Sequence, residues 1–211
     1  MRTEFVFDDG GMNLLSSSAL RAIGGALPAE ASLFVFRSGR PGLFAAGADM
    51  AEMQRFTAYD AYEFARLGQE LFETIERLPF VTVALIDGDC FGGALDLALS
   101  FDLRFATPRS RFSHPGARLG IVTGFGGTSR WRGVLSRHAA NQLFLANRVL
   151  SASDAVDFGL VDRVAESHEE ELTRLESLDL RMVKELTIRG HGLTPELLLL
   201  LSASRRAPSS A

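Results

Sequence analysis

Residues 81–106 read VTVALIDGDCFGGALDLALSFDLRFA, and the order of residue types in this stretch decides the fold class. VTVALI (81–86) is a nearly continuous β-branched and aliphatic run. That suits a strand buried on both faces, as in a parallel sheet. Asp87-Gly88 turns the chain. Gly92-Gly93 opens a helical stretch over 92–100, and a further strand follows near 102–106. A strand, a helix and a strand in succession mark an α/β chain.

The alternation extends outward on both sides. EFVF (4–7) is a short strand that ends at the Asp8-Asp9-Gly10-Gly11 turn. Residues 15–26 read as a helix, with Ser16 to Ser18 near its start. SLFVF (32–36) is a compact apolar strand, and Ser38 to Gly42 form a loop. Residues 59–78 carry a broad apolar stripe at helical spacing, from Tyr62 and Phe64 to Ile75 and Leu78, and Pro79 stops the helix. Beyond 106 the pattern predicts helices at 126–136, 137–147 and 151–158, a strand at 160–165 and a helix at 169–189. Thr194-Pro195 opens a last helix containing Leu197 to Leu201. Five consecutive leucines occupy every face of it, so it requires cover from its own domain or from a neighbouring subunit.

Composition narrows the function classes. The chain has 211 residues, 46% of them hydrophobic and 23% charged, with a net charge of −4. That length fits one domain with a substantial core. The apolar content excludes low-complexity disorder. The charge balance argues against nucleic acid as the main partner. Cys90 is the one cysteine, which excludes an intrachain disulfide and a Cys-based zinc site. No other metal-ligand spacing is present. No apolar run approaches the ~20 residues needed to cross a bilayer, and MRTEFVFDDG lacks a signal-peptide apolar region. The expectation is a cytoplasmic protein with no membrane partner. Lys184 is the sole lysine, which removes most lysine-based chemistry. GxxxxGK and GxSxG patterns are absent.

Two segments share a physical logic. Phe44-Ala45-Ala46-Gly47-Ala48-Asp49 follows a strand and a loop, and its small side chains let a ligand approach the backbone. Asp49 caps the helix that follows, with Glu52 three residues on as in a capping box. Asp87 to Asp96 likewise runs from a strand into a helix, and the Gly93 amide is a free donor at the helix start. Two such amides from two strand ends make an oxyanion hole. Taken alone, either segment reads equally as tight strand-to-helix packing.

Taken together and in order, the segments resemble the crotonase, or enoyl-CoA hydratase/isomerase, superfamily. The matching stretches are FAAGADMAEM (44–53), VALIDGDCFGGALDLALSFDLRFA (83–106), RFSHPGARLGIVTGFGGTSRW (111–131) and LSASDAVDFGLVDRV (150–164). Gly11-Met12-Asn13-Leu14 belongs to the same match. The resemblance implies a spiral of repeated ββα units over 1–165, a C-terminal helical oligomerisation region over 166–204 and a loose tail over 205–211. It implies an acyl-CoA thioester as substrate, no prosthetic group, and a homo-oligomer, a trimer or a dimer of trimers. Carried over residue by residue, the amides of Ala48 and Gly93 hold the thioester oxygen. The backbone of Ala45, Ala46, Gly47 and Ala48 lines the adenine side of the CoA site.

The departures from the family pattern are equally specific. The hydratases of the family use two glutamates. The first position falls on Asp96 and the second on Gly116, which has no proton chemistry. Thr123-Gly124-Phe125-Gly126, where some isomerases of the family carry an acid, has none either. Ala51 stands where a lysine frequently helps hold CoA phosphate. His114, two residues before Gly116, is the nearest replacement for the missing acid; its alternative role is packing between strand and loop. Asp96 also fits the first helical turn on dipole grounds alone. Asp89 reads as a solvated turn residue and Cys90 as a small buried hydrophobe. Arg104, Arg109, Arg111 and Arg118 read as a cluster that meets CoA phosphates, a neighbouring subunit or solvent.

Three function classes follow. The first is an enoyl-CoA hydratase/isomerase-type enzyme in which Asp96, with His114 or a water, moves a proton beside the oxyanion hole. The second is an acyl-CoA decarboxylase or thioester hydrolase. The third is a non-catalytic acyl-CoA-binding or assembly subunit, which Gly116 favours.

Overall fold

The computed structural model describes residues 1–181 together with Val183 and Lys184. The chain begins with β1 (Arg2–Phe7), β2 (Leu14–Leu15) and helix α1 (Ser17–Gly25). β3 (Leu33–Ser38), β4 (Leu43–Ala45) and β5 (Gly47–Ala48) lead into α2 (Met50–Met53) and the long α3 (Ala58–Glu76). β6 (Val81–Ile86), β7 (Asp89–Phe91) and α4 (Gly93–Ala98) follow, then β8 (Leu103–Ala106) and β9 (Arg111–Ser113). Short helices α5 (Gly127–Arg130) and α6 (Arg137–Ala140) precede β10 (Leu150–Ser151), α7 (Ala152–Asp157), β11 (Arg163–Val164) and α8 (Glu169–Glu176).

The pairings give the expected spiral. β1, β3, β6, β8 and β11 form one five-stranded sheet in that order, and every pair in it is parallel. β4, β7 and β9 lie parallel in a second sheet, which β10 closes antiparallel on β9. The pairs β3/β4, β6/β7 and β8/β9 each lay one strand in the first sheet and the next in the second. Helices follow the pairs β3/β4 and β6/β7. β2 and β5 pair separately, Leu15 opposite Ala48.

Period-2 alternation splits the burial of the first sheet. Phe34 and Phe36 of β3 face the main core with Phe44, Phe72, Phe80 and Phe112. Leu33 and Val35 face the other side, with Val81, Val83 and Phe105, under Leu172 and Leu175 of α8. Each such fully buried side chain contributes roughly 1.5–3 kcal/mol of transfer free energy. Lys184 is also buried. Its Nζ donates to the Phe80 carbonyl at 3.0 Å and to Asp102 Oδ2 at 2.6 Å. Asp102 Oδ2 also accepts from the Thr82 amide.

Helix starts follow side-chain caps. Ser16 caps α1 and Thr57 caps α3, with Asp60 completing a capping box. Asp49 caps α2 by accepting from the amides of Ala51 and Glu52. The expected reciprocal bond from Glu52 is not made. Its carboxylate accepts instead from the Ser17 amide at 2.9 Å, at the head of α1, where the helix dipole favours a negative charge.

Several expectations are corrected. The second sheet's strands β4, β7 and β9 occupy stretches to which the sequence pattern assigned no strand, because three-residue strands carry almost no periodicity. The predicted helices at 126–136 and 137–147 are broken into α5, a 3₁₀ turn (Trp131–Gly133), α6 and a π-helical turn (Asn141–Leu145). The strand at 160–165 shrinks to the two residues of β11. The helix at 169–189 is α8 over its first eight residues. The helix opened by Thr194-Pro195 and the tail lie outside the described residues. Arg104 is not a surface residue: it is 5% exposed, donates to the carbonyls of Leu160 and Phe101, and pairs with Asp162. Asp89 lies on β7 and is gripped by both arms of Arg111 at 2.7 and 2.8 Å.

Candidate active site

The spiral brings the ends of β5 and β7 into contact. Gly47 adopts φ +102°, and a methyl group in place of its hydrogen would lie 2.8 Å from the Phe91 carbonyl oxygen and 3.3 Å from Gly93 N. Only glycine fits both the dihedral and the approach. A methyl group on Gly93 would in turn lie 3.4 Å from Ala48 N and 3.0 Å from the Phe125 ring. The amides of residues 48 and 93 are thus neighbours across the joint between two spiral turns. Gly92, at φ 55° and ψ −123°, makes the sharp entry into α4, and no side chain caps this start. The Gly93 N–H, first in the helix, has no intrahelical acceptor.

Both residues border a cavity of about 260 Å³. α2 and α3 contribute Met53, Ala61, Phe64 and Ala65 to its wall, and the 115–125 segment contributes Leu119, Ile121, Val122 and Phe125. Phe125 is pinned between elements: its ring lies 5.0 Å from that of Phe64 and 5.6 Å from that of Phe72. Among the described residues the wall has two polar side chains, His114 and Thr123, and His114 is the titratable one.

Asp96 lies behind that wall. It projects from the first turn of α4, is fully buried and does not border the cavity. Its Oδ2 accepts a hydrogen bond from Thr123 Oγ1. Its Oδ1 lies 3.4 Å from His114 Nε2, within ion-pair range, and neither of these buried atoms makes a hydrogen bond among the described residues. The His114 ring stands between Asp96 and the cavity, with the Phe144 ring of the π-helical turn 4.9 Å away. The Cε1–Nδ1 edge of His114 faces Gly116, where a methyl group would lie 3.3 Å from both ring atoms and 2.7 Å from the Ile121 carbonyl oxygen. Position 116 therefore has no room for a carboxylate: the imidazole takes up the adjoining space.

The predicted residues divide accordingly. Ala46, Gly47, Ala48, Gly93, His114 and Gly116 converge on the cavity. Ala45 does not, because it is fully buried in the core. Arg109 and Arg111 are held by Asp87 and Asp89 at the far ends of β6 and β7. Thr123 and Phe144 escaped the sequence reading, since a lone hydroxyl in a glycine-rich loop and one aromatic in a helix carry no signal of where they point.

A family model described as enoyl-CoA hydratase/isomerase matches residues 31–187. The chain belongs to this family. Crotonyl-CoA hydratase of Syntrophomonas wolfei is 37% identical over 164 residues, 75% of this chain and 63% of that protein. Mouse mitochondrial methylglutaconyl-CoA hydratase is 33% identical over 165 residues, 76% of this chain and 52% of that protein. The chain thus spans about half to two thirds of the length of these relatives. Solved structures agree on the crotonase fold. Pseudomonas aeruginosa DspI superposes with a TM-score of 0.83 at 23% identity, covering 97% of this chain and 89% of that one. Enoyl-CoA hydratase from Bacillus anthracis superposes with a TM-score of 0.82 at 23% identity, covering 96% and 84%. Among the described residues no helix is long and apolar enough to cross a membrane, and no acidic, His and Cys cluster could hold a metal ion.

Proposed function

We propose that this member of the family isomerises the double bond of an enoyl-CoA thioester. The thioester oxygen is held by the Ala48 and Gly93 amides, and the acyl chain lies in the cavity. One observation carries the reading: the backbones of residues 48 and 93 meet at the rim of an apolar cavity, so two donors are available where an enolate oxygen would develop charge. Donors fixed before reaction act without reorganisation, and each is worth roughly 3–4 kcal/mol in the transition state of comparable systems.

The wall favours isomerisation over hydration. Adding water needs a group to activate the water and a group to protonate carbon. The described wall offers one titratable side chain, His114, with Asp96 behind it. One acid–base unit suffices when the same proton leaves one carbon and returns to another. The wall also carries no carboxylate, lysine or arginine among the described residues, which suits an uncharged acyl chain. Ala46 to Ala48 form the route by which the CoA moiety approaches, and the region beyond residue 166 takes part in a trimer or a dimer of trimers.

The test is turnover of a panel of 2-enoyl-, 3-enoyl- and malonyl-type CoA esters followed by mass spectrometry and ultraviolet absorbance. The expected result is interconversion of 3-enoyl and 2-enoyl esters. Release of carbon dioxide from the malonyl-type ester, or of free CoA, would establish the decarboxylase or hydrolase instead. Binding without turnover across the panel would make the chain a non-catalytic acyl-CoA-binding subunit.

A further inference from the structure

We infer that His114 is the catalytic residue that moves the proton, and that Asp96, at the position of the family's first acid, is a positioning residue acting through it. The inference rests on the reading of the cavity as the acyl-thioester site. Four observations carry it. Asp96 is fully buried and does not reach the cavity wall, whereas His114 does. His114 Nε2 lies 3.4 Å from Asp96 Oδ1, and neither buried atom makes a hydrogen bond to any other described group. The other carboxylate oxygen is clamped by the Thr123 hydroxyl. The opposite edge of the imidazole, with Nδ1, lies against Gly116 on the cavity side.

A carboxylate behind a histidine fixes the tautomer. With the Asp96 carboxylate 3.4 Å from Nε2, the proton is favoured on that nitrogen, which leaves the Nδ1 lone pair for the substrate. In the forward direction Nδ1 takes a proton from C2 of a 3-enoyl thioester. The C2–H bond breaks, an N–H bond forms, and the electron pair passes to the thioester oxygen between the Ala48 and Gly93 amides. The imidazolium rests against the Asp96 carboxylate. The dienolate then re-forms its carbonyl, a C2=C3 bond replaces C3=C4, and C4 takes the proton from Nδ1. No atom is gained or lost, and the histidine ends neutral.

The carboxylate of Asp96 has a second contact that fixes its orientation. Thr123 provides that contact from the loop that also lines the cavity. Thr123 is thus a second positioning residue, one step further from the substrate.

The experiment combines kinetics with nitrogen-15 NMR of histidine-labelled protein. His114→Ala is expected to lose about a hundredfold to ten-thousandfold in kcat, to keep binding the CoA ester, and to recover part of its rate when free imidazole is added. Asp96→Asn is expected to lower kcat by a hundredfold or so at nearly constant KM without imidazole rescue. Thr123→Val is expected to lose about fivefold to tenfold, the equivalent of one hydrogen bond. In the spectra His114 is expected as the Nε2–H tautomer, and Asp96→Asn is expected to change its tautomer ratio. His114→Ala turning over at the native rate while Asp96→Asn is dead would overturn the assignment, as would a His114 signal indifferent to Asp96→Asn. Should the native protein turn over no CoA ester, the thioester reading fails, and the NMR result still decides whether the pair exists. Should His114→Ala not fold, His114→Gln takes its place in the kinetic comparison.

Discussion

Gly127 passes so close to Asp96 that a methyl group on it would sit 1.7 Å from Oδ1. The start of α5 therefore packs directly against the carboxylate and leaves it no room to swing away from His114. Backbone contact on one side and the Thr123 hydroxyl on the other hold the group more tightly than a hydrogen bond alone.

Gly127→Ala is expected to push Asp96 from its place. Overpacking of this kind destabilises by about 1–3 kcal/mol. The variant should also fall toward the Asp96→Asn level in kcat, although residue 127 carries no functional group. A melting curve and initial rates check both halves, and native kcat in a folded Gly127→Ala protein would contradict them.

Gly47→Ala tests the joint between spiral turns. The left-handed dihedral alone is worth about 1–3 kcal/mol in a residue with a side chain, and the methyl group meets the Phe91 carbonyl oxygen at 2.8 Å. We expect a clear drop in melting temperature and loss of CoA-ester binding by calorimetry. Ala46→Gly, which removes a methyl group from the same segment without a clash, should bind within a few-fold of the native protein.

Gly116→Glu places a carboxylate at the position where the family resemblance implies an acid, yet it is not expected to confer hydration. Its side chain would start 2.7 Å from the Ile121 carbonyl oxygen and against the His114 ring. The expected outcome is a less stable protein with lower isomerase activity. Appearance of 3-hydroxyacyl product would show that the pocket accommodates the carboxylate after all.

His168 gives a pH signature of stability that is separate from catalysis. Burial holds its pKa below the ordinary value and the Arg163 charge adds to that, while the hydrogen bond to the Ala106 carbonyl opposes it. The folded state therefore keeps the ring neutral, and unfolding takes up a proton below about pH 6.5. The contribution is complete above that pH and fades as pH falls toward the depressed folded value. Melting temperature should drop between about pH 7.5 and about pH 5.5, and His168→Gln, which can still donate to Ala106, should flatten the drop.

Much of this was legible in the residues, for reasons that differ from element to element. The runs 32–36 and 81–86 announced central parallel strands because they are apolar on both faces. Asp49 and Ser16 marked helix starts because a cap is a local bond. Gly93 stood out because a glycine pair between strand and helix requires a tight turn. The second sheet was not legible: β7 and β9 are three residues long, and their pairing is set by the winding of the chain. Nor was the division of work between Asp96 and His114. Residues 96, 114, 123 and 127 meet only after two turns of the spiral, and nothing in their spacing says which one stands in front. Arg104 was misread for the same reason, since its partners, the Leu160 carbonyl and Asp162, are far along the chain.

The chain's one lysine offers a practical handle. With its amine locked between Asp102 and the Phe80 carbonyl, Lys184 is shielded from acylating reagents for as long as the segment after α8 stays seated. A mass increment at that residue, followed over time, would clock how often this end of the polypeptide lifts from the sheet. The clock would run without any introduced label and independently of turnover.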